Sequence, residues 1–419
     1  MKERDAKERA SDFGEVSPGF SGEEALKEAS RCLQCPNAPC VKGCPAKVDI
    51  RGFIAELKEG RPQKAMDIIG RNNFFPGVCG RVCQQETQCE GRCVLAKAGK
   101  AIKIGSLERF AADNADFSKA GKGRSGKKVM VIGAGPAGLT AARELANAGI
   151  KVDVYDSLGE PGGVMKYGIP RFRLPQDVLD REINRVKEGI NFMPGKEVGK
   201  GIDFDGLVGK YDAVFIGTGA GLPRKLGVNG EDNEKVLLAN HFLLGHYLSG
   251  RKFRLGKDVA VIGAGNVAMD SARTAVRLGC KVTAMYRKGR EMMRAREAEI
   301  RHAAEEGVRF IFNATPIRIE CLKQGGKVRA VFGVEGVEKE FEFDSIIVAI
   351  GQTPNGIAKL AGLDCEKDGR IKVDGRGMSS REGVFSAGDC VLGSASVIDA
   401  IADAKRTAGE ILVYLKKQP

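Results

Sequence analysis

Tryptophan is absent from this 419-residue chain, and histidine occurs only at His241, His246 and His302. That leaves little material for a histidine-rich metal site or a histidine-based nucleophilic triad. No run approaches the roughly 20 apolar residues that a membrane span requires. The opening MKERDAKERASDF is too charged for a secretory signal, so no membrane span and a cytoplasmic location are expected. The formal charge of +13 comes from 67 basic residues interspersed with 54 acidic ones, without an arginine-rich tail or a nucleic-acid motif. A nucleic-acid partner is therefore not expected. The basic surface reads either as a solvated face or as a docking face for an acidic protein. With 42% hydrophobic residues the chain can bury two or three cores.

Cysteine is what the chain does have. Eight of its 12 cysteines form two runs, Cys32-x2-Cys35-x4-Cys40-x3-Cys44-Pro45 and Cys79-x3-Cys83-x5-Cys89-x3-Cys93. Disulfide frameworks of that density belong to small secreted domains, which this chain does not resemble, so reduced, metal-bound thiols are the better reading. Structural zinc would accept four thiolates. The short mixed spacings and the Cys-Pro ending instead match iron–sulfur runs of bacterial ferredoxin type, where the cysteine before proline ligates the other of two clusters. Helix-forming stretches such as EEALKEAS and IRGFIAELKEG surround the runs between Ser21 and Asn114, and the polar stretch Asp113 to Lys127 reads as a linker.

The hydrophobic period then changes. Val129 to Ile132 is a β-branched run ending in Gly133-x-Gly135-x-x-Gly138, followed by a helical stretch and by a strand at Lys151 to Tyr155 that ends at Asp156. The same unit returns as Val259 to Ile262, Gly263-x-Gly265-x-x-Ala268, a helix, and a strand at Lys281 to Met285. One such fingerprint is weak evidence, but two in the same strand–turn–helix–strand context make a repeated dinucleotide-binding βαβ design. Asp156 is placed to accept hydrogen bonds from an unmodified adenosine ribose. The second unit ends instead in Tyr286-Arg287-Lys288-Gly289-Arg290, cations suited to the 2′-phosphate of NADPH. Val384 to Asp389 is a further strand ending in Gly-Asp, which suggests a split flavin domain with the second unit inserted, although by itself Asp389 reads as a turn or N-cap aspartate.

Several stretches together resemble the small subunit of NADPH-dependent glutamate synthase and its relatives, among them the transhydrogenase large subunit, the sulfide dehydrogenase flavoprotein and the N-terminal half of dihydropyrimidine dehydrogenase. The matching segments are RCLQCPNAPCVKGCPAKVDI, VCGRVCQQETQCEGRC, VIGAGPAGLTAA, EPGGVMKYGIPRFRLP, AVFIGTGAGLPRKLGVNGE, VIGAGNVAMDSART, IVAIGQTPN and GVFSAGDC. The resemblance implies an α/β fold. A helical iron–sulfur domain (1–115) precedes two Rossmann-like domains, FAD-binding (127–240 and 346–419) and NADPH-binding (241–345). It implies FAD and NADPH sites built from Gly133, Gly135, Pro136, Ala137, Gly138, Asp156, Gly162, Gly163, Gly351, Gly388 and Asp389, and from Gly263, Gly265, Asn266, Arg287, Lys288 and Arg290. Two [4Fe-4S] clusters are implied, one held by Cys32, Cys35, Cys40 and Cys93, the other by Cys44, Cys83, Cys89 and Glu108, with Cys79 left unligated. Arg294 departs from the family's usual proline, and the segment between Thr315 and Ala349 is shorter than usual.

The implied activity is electron transfer from NADPH through FAD and the clusters, with no obligatory acid–base or nucleophilic side chain. No Cys-x-x-Cys pair lies near the nucleotide repeat, which argues against a dithiol outlet. The expected partner is a large catalytic subunit in a hetero-oligomer, or a ferredoxin-like carrier. Rival readings are an NAD(P)H:ferredoxin or sulfide-linked oxidoreductase, and a non-catalytic scaffold with structural zinc.

Overall fold

The computed structural model describes residues 3–116, 125–322 and 326–418. Short helices build the N-terminal part: Gly22–Ser30, Pro39–Gly43, Ile50–Lys58, Pro62–Gly70, Pro76–Val82 and Ile104–Asn114. Their starts are written in the sequence. Ser21 and Glu24 form a capping box, the Asp49 carboxylate accepts from the Gly52 N–H at 2.9 Å, and Pro39, Pro62 and Pro76 occupy first helical positions where no N–H is needed. The expected linker begins two residues later than the composition suggested, because Asp113 and Asn114 complete the last helix. Its residues 117–124 lie outside the described residues.

Two five-stranded parallel sheets follow. The first has the order Val384–Ser386, Ala213–Ile216, Lys128–Ile132, Lys151–Tyr155, Asn191–Met193. The second has the order Val236–Leu238, Ser345–Val348, Asp258–Ile262, Lys281–Met285, Arg309–Ile311. The central strands are apolar after their first residues, Lys128 and Asp258, because helices cover both faces of a parallel sheet. The strand Val384–Ser386 returns to the first sheet after the whole second sheet has been built, so the first domain is split in sequence.

The sheets place the joints differently from the expected boundaries at 240/241 and 345/346. The first expected boundary falls inside helix Ala239–Tyr247, and the second cuts the strand Ser345–Val348, which pairs with Asp258–Ile262. The physical joint is an antiparallel ribbon of Leu222–Pro223 against Gln352–Thr353, through which the chain enters and leaves the inserted domain. The segment 315–349 holds a three-stranded antiparallel sheet, Ala314–Cys321, Val328–Val334 and Val337–Phe343.

One apolar core runs from Phe53, Phe75 and Leu107 of the N-terminal part into the helices Pro136–Asn147 and Val397–Lys416 of the first nucleotide domain. Losing one of those phenylalanines would cost about 3–5 kcal/mol. The inserted domain has a separate core around Phe242, Met269 and Ile347. It meets the rest largely through polar contacts, such as the buried Arg173 Nη1 to Asp270 bonds of 2.7 Å and Arg9 Nε to Glu306 at 3.0 Å.

Candidate functional site: two nucleotide turns on one cleft beside two cysteine sets

The two Gly-rich turns occupy equivalent places. Ile132 pairs with Tyr155 in the first unit, and Ile262 with Met285 in the second. Asp156 and Tyr286 are therefore structural counterparts, and Arg287 sits one step beyond. In the first unit a Cβ on Gly138 would come 1.8 Å from the Gly133 carbonyl oxygen, so the helix packs against the turn with glycine alone. Gly163, at φ +51°, lies against Gly135, where a Cβ would meet its Cα at 2.8 Å. Gly388 (φ +78°) packs on the Ala137 methyl, which brings the C-terminal strand end onto the same turn. These close approaches leave room for a pyrophosphate over the turn and the helix N-terminus, as a dinucleotide requires.

Both turns open on one cleft of about 1190 Å³, lined by Gly133, Gly135, Pro136, Ala137, Asp156, Gly163, Gly263, Gly265, Asn266, Arg287, Lys288, Gly351 and Asp389, among others. That exceeds the roughly 300–1,000 Å³ of a single small-molecule pocket and suits two dinucleotides meeting. Asp156 and Asp389, distant in sequence, share this wall. The Asp156 carboxylate accepts from the Ala134 N–H at 2.6 Å and the Leu158 N–H at 2.8 Å, while burial pushes it above the usual carboxylate range. Burial pushes Asp389 up to about 7, opposed by the Ala395 N–H and reinforced by Asp399. A buried carboxyl held by few donors is matched by a ligand that brings hydroxyls to it, and FAD's ribose and ribityl groups are such donors. The helix Val397–Lys416 starts on the cleft, capped by Ser396 and Asp399.

On the inserted domain's side the outcome differs from the expected set at one position. Arg290 is exposed, pairs with Glu297 and is absent from the cleft wall. Arg294 is on that wall. Its N–H donates to the Ala264 carbonyl at 3.1 Å, so the loop lies on the Gly-rich turn with the guanidinium exposed beside it. The sequence signal for Arg294 is its departure from the family's usual proline, which adds a cation beside the second turn.

The cysteines fall into two sets. Cys32, Cys35, Cys40 and Cys93 line one small, mostly apolar cavity. Cys44, Cys83, Cys89 and Glu108 are mutual electrostatic neighbours, so the two runs cross as the ferredoxin spacing anticipates. Cys79 is buried beside Cys83, its thiol pushed well up by that neighbour and by burial, and it also contacts Asn73 Oδ1 at 3.7 Å. Asn73 Nδ2 donates to Glu108 Oε1 at 2.9 Å, and burial raises the Glu108 carboxyl to about 8. Cys32, Cys40, Cys44 and Cys89 are also shifted upward by burial. Thiols and a carboxyl that resist ionising in isolation are suited to cationic iron, which the donor set can hold as thiolates and carboxylate. Among the described residues no three such side chains converge on a single metal ion, as the roughly 2.3 Å bonds of a zinc site would demand.

Cys83, with Val82, Gln84 and Gln88, also lines the large cleft, so the second cysteine set abuts the nucleotide site. Two clasps hold this arrangement. The Glu182 carboxylate, from helix Gln176–Val186, accepts from the Gly77 and Val78 N–H groups at 2.6 and 3.0 Å, closing the start of helix Pro76–Val82. Gln84 Nε2 donates to the Arg294 carbonyl at 3.1 Å, and Arg296 Nη1 to the Arg81 carbonyl at 2.7 Å. Neither Glu182 nor this second clasp was visible in the motifs.

A split parallel-sheet domain with an inserted copy of itself, sharing a cleft and flanked by eight cysteines, defines a pyridine-nucleotide-linked flavin and iron–sulfur oxidoreductase. Residues 127–407 match the pyridine nucleotide-disulphide oxidoreductase family, and residues 9–120 match the 4Fe-4S cluster domain described as domain II of dihydropyrimidine dehydrogenase. The chain is 36% identical over 451 aligned positions to the glutamate synthase [NADPH] small chain of Escherichia coli K12, covering 97% of this chain and 95% of that one. It is also 36% identical to the NAD-dependent dihydropyrimidine dehydrogenase subunit PreT of Escherichia coli O157:H7, covering 96% and 97%. Mycobacterium tuberculosis FprA in complex with NADPH shares the fold, at 19% identity and a TM-score of 0.59 over 69% of this chain and 85% of that one. The chain belongs to the glutamate synthase small-chain family.

Proposed function

We propose that this chain is the electron-supplying subunit of a glutamate synthase-type assembly, taking reducing equivalents from NADPH and delivering them singly to a large catalytic subunit. The observation that carries the reading is the shared cleft: both Gly-rich turns and the edge of the second cysteine set face one space. FAD, when bound, supplies the exchange between hydride and single electrons, and the two [4Fe-4S] clusters carry the single electrons onward. The residues hold and orient. The turn at Gly133, Gly135 and Gly138, with Gly162, Gly163, Asp156, Gly388 and Asp389, cradles the flavin nucleotide. The turn at Gly263, Gly265 and Asn266 takes the nicotinamide nucleotide. Arg287 and Lys288 at the strand end select its 2′-phosphate, a choice that the family leaves open because relatives use either nucleotide. The dipole of helix Val397–Lys416 favours negative charge where the cleft meets its first turn.

For the clusters, Cys32, Cys35, Cys40 and Cys93 form one ligand set and Cys44, Cys83, Cys89 and Glu108 the other. Cys79 stays a buried thiol. No helix among the described residues is long and apolar enough to cross a membrane. The test is anaerobic titration of the purified protein with NADPH, followed by flavin absorbance and cluster EPR. Flavin bleaching together with two reduced-cluster signals is expected. Bleaching without any cluster signal, or no response to NADPH, would reject the reading. Side-by-side spectra of Glu108→Ala and Cys79→Ser assign the eighth ligand: a signal changed only in Cys79→Ser would exclude Glu108.

A further inference from the structure

The two cysteine sets differ in how far they lie from solvent, and the surface around the outer set is charged in one sense. Cys44, Cys83 and Cys89 are buried, whereas Cys32, Cys35, Cys40 and Cys93 are partly exposed. Beside the outer cavity, Leu33 and Val94 stand 60% and 47% exposed, large apolar side chains at the surface next to thiols. The stretches 31–54 and 91–104 that surround it contain one acid, Asp49, whose carboxylate is turned to the Gly52 N–H. Against it stand Lys42, Arg51, Arg92, Lys97 and Lys100, all exposed and, among the described residues, without a carboxylate partner in any recorded ion pair. On the domain's inner side the opposite holds: Arg81 and Arg109 are tied to Glu15 and Asp113. In the segments flanking the partly exposed thiols, exposed basic residues thus outnumber acids, with Arg51 on the cavity wall and Glu28, bound to Arg31, as the neighbouring acid.

We propose that this rim is a docking surface for the acidic, redox-active face of an electron-accepting protein, with Leu33 and Val94 as its apolar centre and the lysines and arginines as its steering edge. The proposal rests on the reading that Cys32, Cys35, Cys40 and Cys93 hold a cluster, and it adds where the partner sits and what charge it presents. An apolar centre within a charged rim is the anatomy of a transient protein interface. Charge of one sign around it speeds encounter with an oppositely charged face by about 10- to 1,000-fold, and salt screens the effect. A cluster held by Cys32, Cys35, Cys40 and Cys93 would supply one electron per docking event, lost by this chain and gained by the partner's oxidised centre.

The experiment uses holoenzyme with NADPH as donor and two acceptors, an acidic bacterial-type ferredoxin and the small neutral quinone menadione. Lys97→Glu combined with Lys100→Glu lies outside the cavity wall and should lower the ferredoxin rate constant roughly tenfold at low ionic strength. The difference should shrink in high salt, with menadione reduction, flavin content and iron content unchanged. Leu33→Asp should lower the ferredoxin rate at every salt concentration. Ferredoxin reduction unaffected by the charge reversal would overturn the proposal, as would faster reduction of a basic cytochrome c than of ferredoxin by the wild-type protein. Metal analysis separates the two readings. A protein without iron loses the cluster reading and the proposal with it, whereas a full iron complement with insensitive ferredoxin reduction removes the docking surface alone.

Discussion

The two Gly-rich units have equivalent strands, the same five-residue register and the same cleft, yet one strand end is acidic and the other is followed by cations. The first closes on Asp156, held by two backbone N–H groups; the second closes on Tyr286, with Arg287 and Lys288 beyond it. They also differ in packing. The first turn leaves no room for a methyl at Gly138, while the second accommodates Ala268. A duplicated backbone can therefore hold two cofactors of one chemical class and tell them apart by one or two side chains at a strand end. In the proposed reading the backbone would supply phosphate binding in both, and the side chains the choice.

The comparison breaks first at the flavin. Asp156→Ala and Asp389→Ala should each weaken FAD roughly 10- to 100-fold, the scale of a lost hydrogen bond to a charged group. Flavin per chain after gel filtration measures it. Full occupancy in Asp389→Ala would mean that the two carboxylates do not serve one ligand. In the second unit, Arg287→Ala should lower the NADPH-to-NADH ratio of kcat/KM by about tenfold or more, since a guanidinium–phosphate contact is lost from one nucleotide only. An unchanged ratio, measured with menadione as acceptor, would remove Arg287 from the phosphate.

Packing can be separated from charge. Gly138→Ala should destabilise the first domain by roughly 1–3 kcal/mol, as overpacking against a backbone carbonyl does, while Ala268→Gly should cost about 1 kcal/mol through helix propensity. Equal midpoint shifts in urea would show the two turns to be packed alike. A finer distinction lies between the two arginines of the loop. Arg294→Ala should raise the KM for NADPH about fivefold, within the scale of one surface-exposed charged contact, whereas Arg290→Ala, whose guanidinium is engaged by Glu297, should leave it within error. Reversal of that order would restore Arg290 to the site.

A separate contrast lies in the dependence on pH. Asp389 in the folded, flavin-free protein has its carboxyl raised from 3.8 to about 7 by burial. A raised carboxyl favours the folded state while protonated, so its contribution is present below about pH 4 and is lost as pH rises through about 7. Flavin-free wild type should therefore lose thermal stability relative to Asp389→Asn between those values, a trend that differential scanning fluorimetry would detect. Parallel curves would place Asp389 in a more solvated setting.

Much of this was legible in the chain. The strands Lys128–Ile132, Lys151–Tyr155, Asp258–Ile262 and Lys281–Met285 lie where β-branched runs meet Gly-rich turns, because phosphate cradles require glycine and a parallel sheet requires apolar strands. The helix starts at Ser21, Pro39, Pro62 and Pro76 follow from capping chemistry. The Cys-Pro ending pointed to Cys44 leaving its own run, whereas Cys93 beside Cys32, Cys35 and Cys40 was implied by the family resemblance, and all four line one cavity. The joints of the inserted domain were misplaced because Val236–Leu238 and Ser345–Val348 are short apolar strands whose sheet membership depends on a partner far away in sequence.

What the sequence determined by itself, then, is the local chemistry: two Gly-rich turns ending in differently charged strand ends, two thiol-rich runs and the α/β class, all encoded within spans of a few dozen residues. The tertiary structure alone decided what those pieces share. It placed Asp156 and Asp389 on one wall, set Cys83 at the edge of the nucleotide cleft, fastened helix Pro76–Val82 with Glu182, and put Arg294 rather than Arg290 over the second turn. Each of these depends on contacts between segments about 100 or more residues apart, or on which way a loop folds back on its turn. Local propensity and spacing carry no information about such contacts until the cores have formed.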